Sequence, residues 1–445
     1  MTRNGGAPRR AFVLGGGVAG LVAAFGLRDR GLLVTLLESR GWLGGRAFSS
    51  FDRTTGRPLD NGPHVMLGCY REMRKLLRRV GTEAQFDQGR RLVMSYRRIG
   101  GRLDRLRLSR LPVPLAMPFA LLRLGLPFGA RWRALRGMVS VLRATPPSWS
   151  LHEWLRRRAQ LGEPDAFLWR PLCRAIMNSE PDDVAAADFV ATLREAFFGR
   201  AGAAAFWLPR QPWSELVGEP AQRALRSAGV TVRTGARVAV LSIATAAAGA
   251  GTRPRIDAIV LGDGERVAVG PSDLVVSALP WFAFRSLLPD ATPPFATMRS
   301  APIVSAFFET AEGAPLLPDD GPVTALVDGE PFHFVLRTPG ASVRRFALLS
   351  GGNRVFDGMA VDDIAAMATA ELARHYPHVD LGTATVRVRK EQHATFVAAP
   401  GSAQLRPAPG PLAGGPDNLR VCGDWTATGL PSTLEGAARS AVSML

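Results

Sequence analysis

Lysine is almost absent from this chain of 445 residues: of its 55 basic residues only Lys75 and Lys390 are lysines. So strong a bias toward arginine looks like GC-rich coding rather than selected chemistry. Cysteine is scarce too. Cys69, Cys173 and Cys422 lie far apart and show no CxxC spacing, which argues against a disulfide framework or a zinc site and suits a reducing cytoplasm. His152, His333, His375, His378 and His393 have no metal-ligand spacing. The net charge is +17, yet the basic residues are scattered without a nucleic-acid motif, so no nucleic-acid partner is expected. No run of 18 apolar residues escapes a charge, which excludes a spanning helix. Leu111 to Met138 comes nearest. It is broken by Pro112, Pro114, Pro118 and Pro127 and cut by Arg123, Arg131, Arg133 and Arg136. Two readings fit it equally: a helix lying in a membrane interface, or a lid packing inward. The first would place the protein peripherally on the inner face of the cell membrane.

What is present is concentrated near the two ends. Ala11 to Leu14 is an apolar strand, followed by Gly15-Gly-Gly17-Val-Ala-Gly20, an apolar helix, and a strand from Leu33 to Glu38. Gly15 permits the tight turn, Gly17 leaves room for a pyrophosphate, and Gly20 lets helix and sheet pack closely. The helix N-terminus, with Ala19 in its first turn, faces the phosphates. Glu38 is at the right distance to accept from ribose hydroxyls. Val421-Cys-Gly-Asp424-Trp and Pro431-Ser-Thr-Leu-Glu-Gly436 form the second piece. Together the two read as opposite ends of one flavin site, with FAD as cofactor. Arg9-Arg10 before an apolar stretch resembles a twin-arginine export signal. The fingerprint spacing and the complete βαβ unit argue instead for folded structure.

The class is α/β: a discontinuous Rossmann-type FAD-binding domain (1–84, 205–284 and 385–445) with an inserted α+β substrate domain (85–204 and 285–384). Residues 85–204 read as helical, with helices over 150–160, 165–177 and 182–198, the last starting at Asp182-Asp183. Strands are expected at 230–233, 236–241, 255–261, 274–278, 303–308, 333–336, 345–349, 385–390 and 419–422, a hairpin turn at 262–264, a helix over 361–374, and a loop over 244–251.

Gly44-Gly45-Arg46 and Gly423-Asp424 resemble the flavin amine oxidase and phytoene desaturase superfamily. Leu59 to His64, Leu67 to Tyr70, Leu168 to Cys173, Met177-Asn178, Ala394 to Phe396, Gly423 to Gly429 and Glu435 to Ala437 are similar to the hydroxysqualene dehydroxylase family, also called squalene-associated FAD-dependent desaturases. Pro63, Asn178 to Pro181 and Gln392-His393 depart from its pattern. The resemblance implies a flavin amine oxidase-like fold and reductive removal of an allylic hydroxyl from hydroxysqualene, giving squalene, in hopanoid biosynthesis. An isoprenoid substrate and polyprenyl synthase partners go with it. It also implies that Arg46 reaches the pyrophosphate, Val238 meets the adenine through its backbone, and Asp424 binds the ribityl or pyrophosphate end. Ser432, Thr433 and Leu434 would open a helix toward the flavin carbonyl edge. Asn61 and Gly62 would approach the isoalloxazine, with His64 as proton donor and Asp60 and Tyr70 as weaker acid candidates. Phe307 and Phe308 are among the aromatics that could face a cation. Polyene desaturation would use the same cofactor residues in the opposite direction. Amine oxidation commonly needs a lysine by the flavin, where only Lys390 is near. A non-catalytic FAD-stabilised scaffold is the reading from another class.

Overall fold

A computed structural model describes residues 9–53, 55–109, 111–198, 202–244, 254–288, 294–310, 317–318, 320–337 and 344–445. Two sheets organise it. The first has six strands in the order Thr231–Arg233, Leu33–Leu37, Arg10–Leu14, Leu274–Ser277, Leu419–Val421 and Gly410–Pro411. The first five run parallel and the last is antiparallel. Its central strands are apolar on both faces because both are covered: Ala11, Val13 and Val276 pack with helices, while Phe12, Leu14 and Val275 share a core with the strand residues Leu241, Ile256 and Ile259. Val18–Asp29 and Leu434–Met444 pack on it through Leu21, Phe25, Ala438 and Ala441. The two arginines before the first strand belong to this structure. Arg9 Nε donates to the Ser272 carbonyl at 2.7 Å, and Arg10 Nε to Asp273 at 2.9 Å.

The second sheet has seven strands, ordered Thr385–Phe396, Ser300–Glu309, Arg345–Gly351, Phe334–Arg337, Val323–Val327, Val93–Arg98 and Leu103–Arg107. Helix Val361–His375 lays Ile364, Ala368 and Leu372 against Phe308, Phe346 and Leu348. Two expectations change here. Thr385–Phe396 pairs along its length with Ser300–Glu309, so the return to the cofactor-binding part falls after residue 396 rather than at 385. A strand's alternation says nothing about which sheet it will join. The stretch after residue 85 is not helical from its start. It contains Phe86–Gln88, then a hairpin of Val93–Arg98 with Leu103–Arg107 around the left-handed Gly100 and Gly101.

The helices that follow are shorter than expected. Leu151–Arg157 is capped by Ser150 Oγ, which accepts from Glu153 N–H at 3.2 Å. Residues 165–169 make a π-helical turn before Arg170–Met177. The last helix is Ala186–Phe197, not one opened by Asp182-Asp183, because those two residues lie in a turn, with Asp183 N–H donating to the Glu180 carbonyl at 3.0 Å, and Ala185 bridges Ser150. Val238–Ala244, Arg255–Leu261 and Arg266–Ala268 form a separate antiparallel sheet with the turn at Gly264. The loop expected over 244–251 lies, beyond Ala244, outside the described residues.

Leu111 to Met138 folds as two helices, Val113–Leu122 and Phe128–Ser140. The inward-packing reading holds for one face of the pair, and the other face is exposed. Val113, Ala116, Met117, Ala120, Ala134 and Met138 pack into the core. Leu111, Leu115, Phe119 and Leu122, with Phe128, Trp132 and Val139, are exposed, Phe128 to 76%. Among the described residues no helix is long and apolar enough to cross a membrane.

Candidate active site

The glycine-rich turn explains most of its own glycines. Gly15 has a φ of +99°, a region that side chains disfavour. A Cβ on Gly20 would stand 1.8 Å from the Gly15 carbonyl oxygen. Gly17 is different. Its φ is −73°, and a Cβ there would meet nothing nearer than the Gly45 Cα at 3.8 Å. Neither backbone nor neighbours require glycine at 17, so the space it leaves fits a group the protein does not itself supply. The Val18–Asp29 helix begins at Gly17 with no side-chain cap and no acid in its first turn, which leaves N–H groups of Ala19 and Gly20 open to phosphate oxygens. Gly45 closes the other side; a Cβ on it would lie 2.9 Å from the Gly17 Cα.

Glu38 is buried beneath this turn. Its Oε2 accepts from Gly16 N–H at 2.7 Å and its Oε1 from Arg40 N–H at 2.8 Å. The Glu38 backbone joins Arg233 and Ala236, which brings the start of the Val238 strand to the same end. Glu38→Ala is expected to weaken FAD binding by about 1.5–3 kcal/mol, the worth of hydrogen bonds to a charged acceptor. Titration of apoprotein with FAD reads this directly, and unchanged affinity would remove Glu38 from the site.

At the other end Gly423, with a φ of +146°, turns the chain so that Asp424 meets Arg46. Arg46 donates to Asp424 Oδ1 and to the Ala394 carbonyl, both at 2.5 Å. Ser432 Oγ donates to the second Asp424 oxygen. Thr433 caps the final helix by accepting from Gly436 N–H at 2.9 Å, so Leu434 starts that helix as expected. Arg46, Asp424 and Ser432 form one network with the glycine turn near it. A guanidinium tied to two acceptors in this way is held rather than free.

Asn61 and Gly62 lie where the cofactor segment meets the seven-stranded sheet. Asn61 Nδ2 donates to Glu391 Oε2 at 3.0 Å. A Cβ on Gly62 would be 3.8 Å from Ser305 Oγ, a buried hydroxyl with no hydrogen-bond partner among the described residues. Glu391 and Ser305 were not apparent from sequence. Each sits inside an ordinary strand, and the pairing of Ser300–Glu309 with Thr385–Phe396 brings Glu391 to Asn61 and Ser305 to Gly62.

His64 is placed beside Arg46. Its Nε2 lies 3.3 Å from the Arg46 carbonyl, and its ring stands edge-on to Trp213 at 5.4 Å. A carbonyl only accepts, so Nε2 carries the hydrogen. Burial pulls the His64 pKa down to about 4, which leaves the ring neutral at physiological pH with a lone pair on Nδ1. Asp60 behaves oppositely. Burial raises its pKa to about 6. Its Oδ1 accepts from Ser49 Oγ at 2.5 Å and Trp213 N–H at 3.2 Å, so Oδ2 is the oxygen left for a proton. It lines a cleft of about 60 Å³ shared with Phe307, Phe308 and Pro212. Burial pushes the Tyr70 phenol well above its usual range. Lys390 is spent on the Phe356 and Met359 carbonyls, at 2.9 and 3.1 Å.

The hydroxysqualene dehydroxylase of Rhodopseudomonas palustris is 28% identical over 96% of this chain and 95% of its own length. The zeta-carotene desaturase of Solanum lycopersicum is 41% identical, but over 16% of this chain and 12% of its own. A solved oxidoreductase from Methanosarcina mazei superposes with a TM-score of 0.73 at 16% identity, covering 98% of this chain and 99% of that one. The family described as flavin containing amine oxidoreductase matches residues 18–443. The chain belongs to that family and is an FAD-dependent oxidoreductase.

Proposed function

We propose that this protein removes the allylic hydroxyl of hydroxysqualene reductively, giving squalene. The observation that carries this is the end-to-end likeness to a hydroxysqualene dehydroxylase, against a likeness to a carotene desaturase confined to a short segment. The site agrees with it. Lys390, the one lysine in the region, is held by two backbone carbonyls, which disfavours the amine-oxidising alternative. Anaerobic mixing of reduced protein with hydroxysqualene should oxidise the flavin and yield squalene by mass. Squalene should leave reduced flavin unchanged. Oxidation of primary amines without any response to hydroxysqualene would overturn the reading.

A hydroxyl leaves an allylic carbon only when protonated, and bound reduced FAD supplies a hydride. The protein's own residues must therefore orient the hydroxyl, provide one proton and keep water out. Glu38, the open turn at Gly17 and the Arg46–Asp424–Ser432 network would hold the cofactor. His64, neutral and with Nδ1 free to accept, orients the hydroxyl rather than protonating it. Asp60, kept partly protonated near neutral pH by burial, is the proton donor. As the C–O bond breaks, the Asp60 proton would leave with the hydroxyl as water.

We further assign the exposed face of the 113–140 helix pair to an anionic membrane surface. No acidic residue occurs from Leu111 to Ser150, while Arg123, Arg133 and Arg136 are exposed beside the apolar side chains. Neutralising those three arginines should weaken association with anionic vesicles by roughly 1 kcal/mol each. Changing Phe119, Phe128 and Trp132 to serine should abolish it while FAD content stays constant. Vesicle flotation is the measurement; unaltered flotation of both variants would remove this face from the membrane.

A further inference from the structure

A larger cavity, of about 530 Å³, lies outside the cofactor network between the start of helix Arg71–Arg79, the segment after Phe86–Gln88 and the entry to Val113–Leu122. The chemistry above makes no use of it. Four guanidinium groups line it, from Arg71, Arg74, Arg90 and Arg91. One acid does, Glu195, and Arg439 already holds it, with one contact at 3.0 Å. Arg74 is fixed by Glu83 at 2.9 Å and lies 4.2 Å over the Trp207 ring. The side chains of Arg71, Arg90 and Arg91 have no carboxylate or other hydrogen-bond partner among the described residues. Apart from Ser109, the other side chains of the wall are apolar or small, including Leu92, Leu108 and Val113. At one edge it reaches Leu111, where the exposed apolar face of the helix pair begins.

Gathering like charges around one concavity is unfavourable unless an anion enters it. Guanidinium forks match phosphate oxygens in pairs. Arg74, stacked and ion-paired, is already oriented, which reduces the ordering cost of binding. The volume falls in the range of small-molecule sites. The apolar wall would be wasted on a free phosphate, and the arginines on a neutral hydrocarbon. We propose that this cavity binds the phosphate or diphosphate head of a long-chain lipid, with the chain lying along Leu92, Leu108 and Val113 toward Leu111. The proposal stands on the cavity alone and does not depend on the flavin reaction.

Two sources share this chemistry: a soluble prenyl diphosphate and a membrane phospholipid. The test uses FAD-loaded protein, so that the pyrophosphate site of the cofactor is occupied. Geranyl diphosphate, geraniol and inorganic pyrophosphate are titrated calorimetrically into wild type and Arg90→Gln/Arg91→Gln. Flotation with phosphatidylglycerol and phosphatidylcholine vesicles forms the second arm. Arg90 is exposed and Arg91 half-buried, and unchanged FAD content verifies the fold. Geranyl diphosphate should bind wild type at least roughly tenfold more tightly than geraniol or pyrophosphate, and the variant should lose roughly tenfold or more. That result assigns a prenyl diphosphate. Loss of phosphatidylglycerol-selective flotation in the variant, with no geranyl diphosphate binding to either protein, assigns the phospholipid head. Equal binding of geraniol and geranyl diphosphate, or a variant indistinguishable from wild type in both arms, overturns the proposal.

Discussion

Gly17→Val is expected to yield a folded, colourless protein. The added Cβ meets no protein atom closer than ordinary contact distance, since even the nearest, Gly45 Cα, is 3.8 Å from its position. The backbone at Gly17 is in a region valine adopts. The fold should therefore survive while the pyrophosphate space is filled. Flavin content should fall from about one per chain to roughly a tenth or less, an affinity loss above ~1.4 kcal/mol at limiting FAD. Gly20→Val gives the contrast. Its Cβ would overlap the Gly15 carbonyl, so that variant should lose folded protein and flavin together. Absorbance at the flavin band beside far-UV circular dichroism separates the two. Full flavin in folded Gly17→Val would show that the cofactor lies elsewhere.

Asp60→Asn should slow oxidation of pre-reduced flavin by hydroxysqualene roughly 10²–10⁴-fold, the usual worth of a positioned acid. Asparagine keeps an oxygen for Ser49 and the Trp213 N–H, so the hairpin need not shift. The pH profile carries the sign. The reactive form of Asp60 is the protonated one, whose fraction falls as pH rises through about 6. The wild-type rate should thus decline about tenfold per pH unit above that point, and the variant should lack this limb. His64→Ala should cost less, about tenfold, with the limb retained, because its ring is already neutral throughout this range. A pH-independent wild-type rate, or an Asp60→Asn variant of normal speed, would place the proton elsewhere.

The cofactor framework was legible because its signals are local. A strand, a glycine turn, a helix and a terminal acid lie within thirty or so residues, and the Gly423-Asp424 turn and Thr433 cap are equally short-range. The seven-stranded sheet was harder. Val323–Val327 is buried at every position and has no alternation to read, and it lies between stretches of irregular sequence. The partners of Asn61 were not legible at all. Glu391 is 330 residues away, and nothing in its own neighbourhood marks it. His64 was found by position, but its protonation depends on surroundings that only the folded chain provides. Asp60, ranked behind it from sequence, gains weight from that same burial.

The Arg46–Asp424 pair has a bearing on how the molecule assembles. Its partners are separated by 378 residues, with the whole seven-stranded sheet encoded between them. Contacts of such separation form late in folding. The glycine turn and its helix can appear early, but the Arg46–Asp424–Ser432 network exists only when helix Leu434–Met444 docks on Val18–Asp29. Flavin capture therefore acts as a clock for the last docking step. In refolding experiments tryptophan burial should precede quenching of flavin fluorescence, and excess FAD should raise the final yield without hastening the first phase. Simultaneous signals at all FAD concentrations would mean that the two ends of the chain meet first.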